Sequence, residues 1–158
     1  MLALLDDQRT VTPTGVPVSP MQRELLRHLA EGLTGEQSAR RFGIPPYGVW
    51  NRLRALYDAL EVGTASRAVA RAHELGLLAR EPWTLPPLPA GKRDLLRRIA
   101  RGESDAQIAK RLGLHVSTVR HRLSDLYREI GVRNRPSAIH AAFCTGLLDG
   151  AEAVPDVR

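Results

Sequence analysis

From Arg93 to Leu148 apolar residues recur three and four apart in four successive blocks, each closed by a glycine or a cluster of turn-forming residues. Leu95, Leu96, Ile99 and Ala100 make the first block, and Gly102 follows where a left-handed backbone suits a helix end. This predicts a helix from about Ala90 to Arg101. Ser104 stands three residues before Gln107, a capping box that starts a second helix with Ile108, Ala109 and Leu112 on its apolar face and Gly113 at its end. After a short turn a third stripe begins, Val116, Val119, Leu123, Leu126 and Ile130. Ala138, Ile139, Ala142 and Leu147 predict a fourth helix, about Arg135 to Leu148, free to pack on the first and third.

A short helix, a tight glycine-containing turn and a longer helix form the helix-turn-helix pattern. At about 100° per residue, Ser117, His121, Ser124 and Arg128 fall opposite Val119 and Leu123, with Arg120 and Arg122 on the flanks. Short polar groups that can reach base edges, bordered by guanidinium groups that can neutralise phosphates, are what a recognition helix offers a major groove.

The whole pattern occurs twice. "RELLRHLAEGLTGEQSARRFGI" from Arg23 aligns without gaps with "RDLLRRIARGESDAQIAKRLGL" from Arg93, and the offset of 70 residues persists to Leu77 and Leu147. Thr34 repeats the capping box. Between the copies, "AREPWTLPPLPAG" has four prolines and reads as an extended spacer. The expected organisation is a flexible segment 1–18, a first helix-turn-helix domain 19–78, a Pro-rich linker 79–89, a second domain 90–148 and an acidic tail 149–158.

Composition agrees with that picture. Hydrophobic residues make up 43% and aromatic ones only 4%, so the core must be built from Leu, Ala, Val and Ile, and the expected fold class is all-α: two tandem four-helix units. The net charge of +6 favours an anionic partner. It is unevenly placed: 19–78 has eight basic and six acidic residues, whereas 88–148 has twelve and five.

With these residues in hand, "GESDAQIAKRLGLHVSTVRHRLSDLYREIGVRNRPSAI" resembles the DNA-binding domain of LuxR-type (GerE-type) bacterial transcription regulators, notably at Thr118-Val119-Arg120, Tyr127 and Gly131 to Arg135. The resemblance covers Leu88 to Leu148 strongly and Ser19 to Leu78 more weakly. It implies that Arg120, His121 and Ser124 face base edges and that Thr118, Arg122 and Arg135 hold the phosphate backbone or support the helix that does. Ser117 joins them on the same face. The resemblance also makes the fourth helix a candidate homodimer contact. No receiver or sensor domain fits into the eighteen residues before Ser19.

The first copy departs from the pattern at its turn, "GIPPYGVWNRLRALY". Pro45 replaces a side-chain cap, Pro46 is acceptable at a first helical position, and Gly48 stands where the family has Thr, at up to ~1 kcal/mol in helix stability. Ala65 stands in the place of Arg135. Trp50, Asn51 and Arg54 match Arg120, His121 and Ser124, which puts an indole on the exposed face. Two readings stay open: contact with DNA at altered preference, with Trp50 against a thymine methyl or a sugar, or a packing unit with Trp50 in an interface.

Other chemistry is poorly supported. No Gly-rich phosphate loop, "GxSxG" elbow or carboxylate pair beside a histidine occurs, so no enzyme is expected. His140 and Cys144 lie four apart as two metal ligands might, but no second pair of suitable spacing completes a site, so neither metal nor cofactor is expected and Cys144 reads as a small buried residue. With a single cysteine and no apolar run near ~20 residues, a reducing cytoplasm beside the nucleoid is the expected home, with no membrane partner. The expected partner is double-stranded DNA. A protein adaptor that docks on RNA polymerase or a partner regulator is the alternative.

Overall fold

A computed structural model describes residues 15–148 and, ahead of them, the strand residues Thr10–Val11. The readings made for 1–9, 12–14 and the acidic tail 149–158 lie outside the described residues. The fold is all-α. Its helices are α1 Pro20–Ala30, α2 Gly35–Phe42, α3 Pro46–Leu60, α4 Ala65–Glu74, α5 Ala90–Ala100, α6 Asp105–Leu112, α7 Val116–Ile130 and α8 Arg135–Cys144. Each helix from α5 to α8 begins 70 residues after its counterpart, with the same length.

Local chemistry sets these boundaries. Ser104 accepts from the Gln107 amide while Gln107 Oε1 accepts from the Ser104 amide, and Thr34 with Gln37 repeats the arrangement. Ser19 and Gln22 form a third such box. The helix-turn-helix bends are made at Gly43 and Gly113, both left-handed with φ of 65° and 64°. Pro45 gives α3 no side-chain cap, as expected, yet His115 gives α7 none either.

Two features differ from the sequence reading. Helix α8 stops at Cys144, not Leu148, because Gly146 turns left-handed at φ 73°, although Leu147 still packs on the core. Ahead of α1, Thr10–Val11 pairs antiparallel with Pro17–Val18, and Val18 is fully buried, so the residues just before Ser19 belong to the core.

The two sets of helices share one apolar core. It runs from Leu26, Leu56, Leu60 and Val69 through Ala138, Ile139 and Ala142 to Leu96, Ile108, Leu123 and Leu126. A smaller cluster, Leu25, Ala39 and Val49, fills the space under the α2–α3 bend. Helices α4 and α8 pack together most extensively, α1 lies against α8, and α5 against α4. Consecutive residues Ser137 to Ala142 are all buried, so α8 offers no free face along this stretch. The stretch 79–89 is irregular but not detached, since Leu85 and Leu88 rest on the core.

Candidate nucleic-acid interface

Helix α7 buries Val119, Leu123, Leu126 and Ile130 and turns a polar face outward. Ser117, Arg120, His121, Arg122, Ser124 and Arg128 are exposed on it, and Thr118 is half-buried. Two carboxylates organise the charges. Asp125 lies 3.3 Å from His121 Nε2 and 3.3 Å from Arg128 Nη1. Asp105, at the first turn of α6, lies 3.3 Å from Arg120 Nε and also pairs with Arg135 Nη2.

Arg135 is thereby placed apart from the outward face. It is half-buried at the start of α8, and its Nη1 donates to the Glu103 carbonyl at 2.7 Å. Arg135 therefore joins α8 to the turn that begins α6. Glu103 itself is buried, with Arg98 at 3.3 Å and Arg111 at 3.5 Å from its carboxylate. Burial pushes the Tyr127 phenol up, against the neighbouring Arg135 guanidinium, which pulls it down. These contacts tie the start of α8 and the end of α5 to the turn that begins α6.

Trp50, Asn51 and Arg54 are all exposed on α3, Trp50 by 57%. The indole lies over Gly35, where a Cβ would fall 2.9 Å from Trp50 Nε1. Gly35 and Trp50 correspond to Asp105 and Arg120 in the second copy. A glycine beneath an indole thus replaces a carboxylate beneath a guanidinium. Tyr47, 66% exposed, sits one turn earlier, and Arg52 Nη1 donates to the Gly48 carbonyl at 3.0 Å. The Arg52 guanidinium lies 3.3 Å from where a Gly48 Cβ would be, close enough that a larger residue there would shift it by a few tenths of an ångström.

Sequence patterning brought the α7 residues to one face but missed Asp105 and Asp125. The signal for Asp105 was present in the repeat, as the paired change of Gly35 with Trp50 against Asp105 with Arg120.

Residues 89–142 match the family model GerE, described as bacterial regulatory proteins, luxR family. The chain is 33% identical over 114 residues to "Probable transcriptional regulatory protein SgaR" of Hyphomicrobium methylovorum, covering 67% of this chain and 53% of that protein. It is 41% identical over 64 residues to "Probable transcriptional regulatory protein NarL" of Mycobacterium tuberculosis, covering 40% of this chain and 30% of that protein. The chain thus spans about half or less of the length of these curated relatives. No solved structure matches it. Residues 89–142 are a LuxR-type helix-turn-helix domain.

Proposed function

We propose that the chain is a bacterial, sequence-specific DNA-binding transcriptional regulator with two LuxR-like helix-turn-helix units in tandem, acting in the cytoplasm at the nucleoid. The observation that carries this reading is the outward face of α7. Ser117, Arg120, His121, Arg122 and Ser124 are exposed together on a helix whose opposite side is core, within the segment that matches the family. Entering a major groove, Arg120, His121 and Ser124 read base edges, while Thr118 and Arg122 meet phosphate oxygens. Arg135 acts through Asp105 as a support for that helix. Nothing in this reading calls for catalysis.

The first unit, 19–78, serves as the second half of a pseudo-dimer. Its α4 packs on α8 within one chain, and this supports a monomer that does the work of a dimer over a homodimer through α8. If both units face one side of the duplex, their half-sites lie about 10 bp apart or a multiple of that. A second reading, in which α3 docks on RNA polymerase or a partner regulator, draws on the exposed Tyr47 and Trp50 at the start of α3. Among the described residues no helix is long and apolar enough to cross a membrane.

Selection of bound duplexes from a random pool at low salt, followed by titration at rising salt, tests the function. A regulator enriches a defined site and loses affinity with a log–log slope of nearly one unit per phosphate neutralised. A chain that retards no duplex at low salt is an adaptor.

A further inference from the structure

The contact between α4 and α8 contains three metal-ligating side chains from both repeats. His73 of α4 places Nε2 2.8 Å from Nδ1 of His140 on α8. Cys144, one turn beyond His140, has its Sγ 3.9 Å from that Nδ1 and 3.6 Å from Nε2. One donor atom from each of the three falls within 4.8 Å of the others. We propose that His73, His140 and Cys144 bind one zinc-class transition-metal ion, which fastens the first helix-turn-helix unit to the second.

The donor set and spacing suit such an ion. With Zn–N near 2.0–2.1 Å and Zn–S near 2.3 Å, tetrahedral ligands stand ~3.3 Å apart for two nitrogens and ~3.6 Å for nitrogen and sulfur. For the His73–His140 and His140–Cys144 pairs the observed 2.8 and 3.9 Å differ from these by about half an ångström or less, and the His73–Cys144 pair, within 4.8 Å, must close by side-chain adjustment. Two imidazoles with one thiol favour zinc or copper over magnesium or calcium, which take oxygen. Both histidines are buried, and Cys144 is half-buried. Burial, with His140 and Arg80 nearby, pushes His73 down to about 4, so its ring is neutral at pH 7, as a ligand must be. Burial pushes the Cys144 thiol up; on binding, the sulfur bonds to the metal and its proton leaves to solvent.

A purely structural role explains the cluster less well. His73 Nδ1 is buried without a hydrogen-bond partner, a cost that an apolar side chain would avoid. The cluster is also not inherited from the repeat. At the equivalent places stand Phe143 for His73, Ala70 for His140 and Glu74 for Cys144, and the packing there needs no donors. Finally, a way in exists, since His140 lines a small cavity with Glu31 and Glu81, and these carboxylates act on its ring. A water would complete four-coordination.

The test uses the full chain titrated with Zn2+ against a chromophoric chelator, and with Co2+ followed by absorbance. One equivalent of Zn2+ is expected, and the Co2+ form should show thiolate-to-metal charge transfer. Cys144→Ser should abolish that band. His73→Phe, which places a ring opposite Phe143 as its counterpart does, should lower Zn2+ affinity by at least about tenfold while the metal-free chain keeps its helical spectrum. Zn2+ should also raise the melting temperature of the wild type and not of either variant. Should His73→Phe fail to fold, Cys144→Ser alone decides. Absence of Zn2+ uptake at micromolar concentration, or equal affinity in the folded variants, overturns the site.

Discussion

His73 and Phe143, which occupy the same place in the two repeats, stack with ring centroids 4.7 Å apart and planes 10° from parallel. Two equivalent positions that meet each other mark the centre of a self-complementary contact, as at a twofold axis between identical subunits. The flanks obey the same relation. A Cβ on Gly32 would lie 3.0 Å from Ser137 Oγ, and one on the equivalent Gly102 would lie 2.7 Å from Cδ of Arg67, the residue equivalent to Ser137. Within one chain, therefore, the two sets of helices meet through equivalent faces.

Gly32 holds this contact closed. Its φ is 82°, and a Cβ there would lie 3.0 Å from Ser137 Oγ and 3.2 Å from both Arg133 Cβ and Asn134 Oδ1. Gly43 has a similar φ, 65°, with nothing within 4 Å. Gly43→Ala should therefore cost only the ~1–2 kcal/mol of a left-handed alanine, and Gly32→Ala distinctly more. Urea unfolding of the two variants checks the difference.

Glu61 is the one non-glycine among the described residues with positive φ, at 56°, where α3 ends; its counterpart Gly131 has φ 74°. No side chain gains from that conformation in an L-residue. Glu61→Gly should stabilise the chain by roughly 1 kcal/mol and Gly131→Ala destabilise it by a similar amount. Denaturation midpoints at unchanged slope would show both.

Asp105 restrains Arg120 and Arg135 together. Asp105→Ala removes a negative charge beside the duplex and frees both guanidinium groups. General affinity for duplex DNA should rise a few-fold while discrimination between a selected site and random sequence falls. Competition titrations report both quantities, and a variant that discriminates as well as the wild type would deny Asp105 this positioning role.

His28 is buried against Phe42, with Nδ1 unpartnered and Nε2 3.9 Å from Glu24. Burial first, and then Arg41, hold its pKa below 6.5. The unfolded chain therefore binds the proton more readily, so the contribution of this group is complete above pH 6.5 and declines as pH falls through the folded value. His28→Leu should lose less stability than the wild type between pH 7.5 and pH 5, measured by urea unfolding.

The helices were legible in the sequence because their ends are written in local chemistry: capping boxes at Thr34 and Ser104, left-handed glycines at Gly43 and Gly113. The outward face of α7 followed from periodicity alone. What lay beyond reach came from contacts distant in sequence. Helix α8 is apolar nearly all round, so no pattern shows which neighbour it meets, and His73 reaches His140 across 67 residues. Spacing within one helix showed His140 and Cys144 but not their third companion. Val18 looked like part of a loose leader because its burial depends on a two-residue ladder too short to leave a period.

On the proposed function, the exposed side of α7 reads base edges. Arg120→Ala combined with His121→Ala, titrated against a duplex recovered by selection and against random duplex at equal salt, tests it most directly. Both side chains are largely exposed, at 71% and 78%, so the fold should survive. Preference for the selected duplex should disappear while weak general binding persists. Discrimination equal to that of the wild type would remove α7 from the groove.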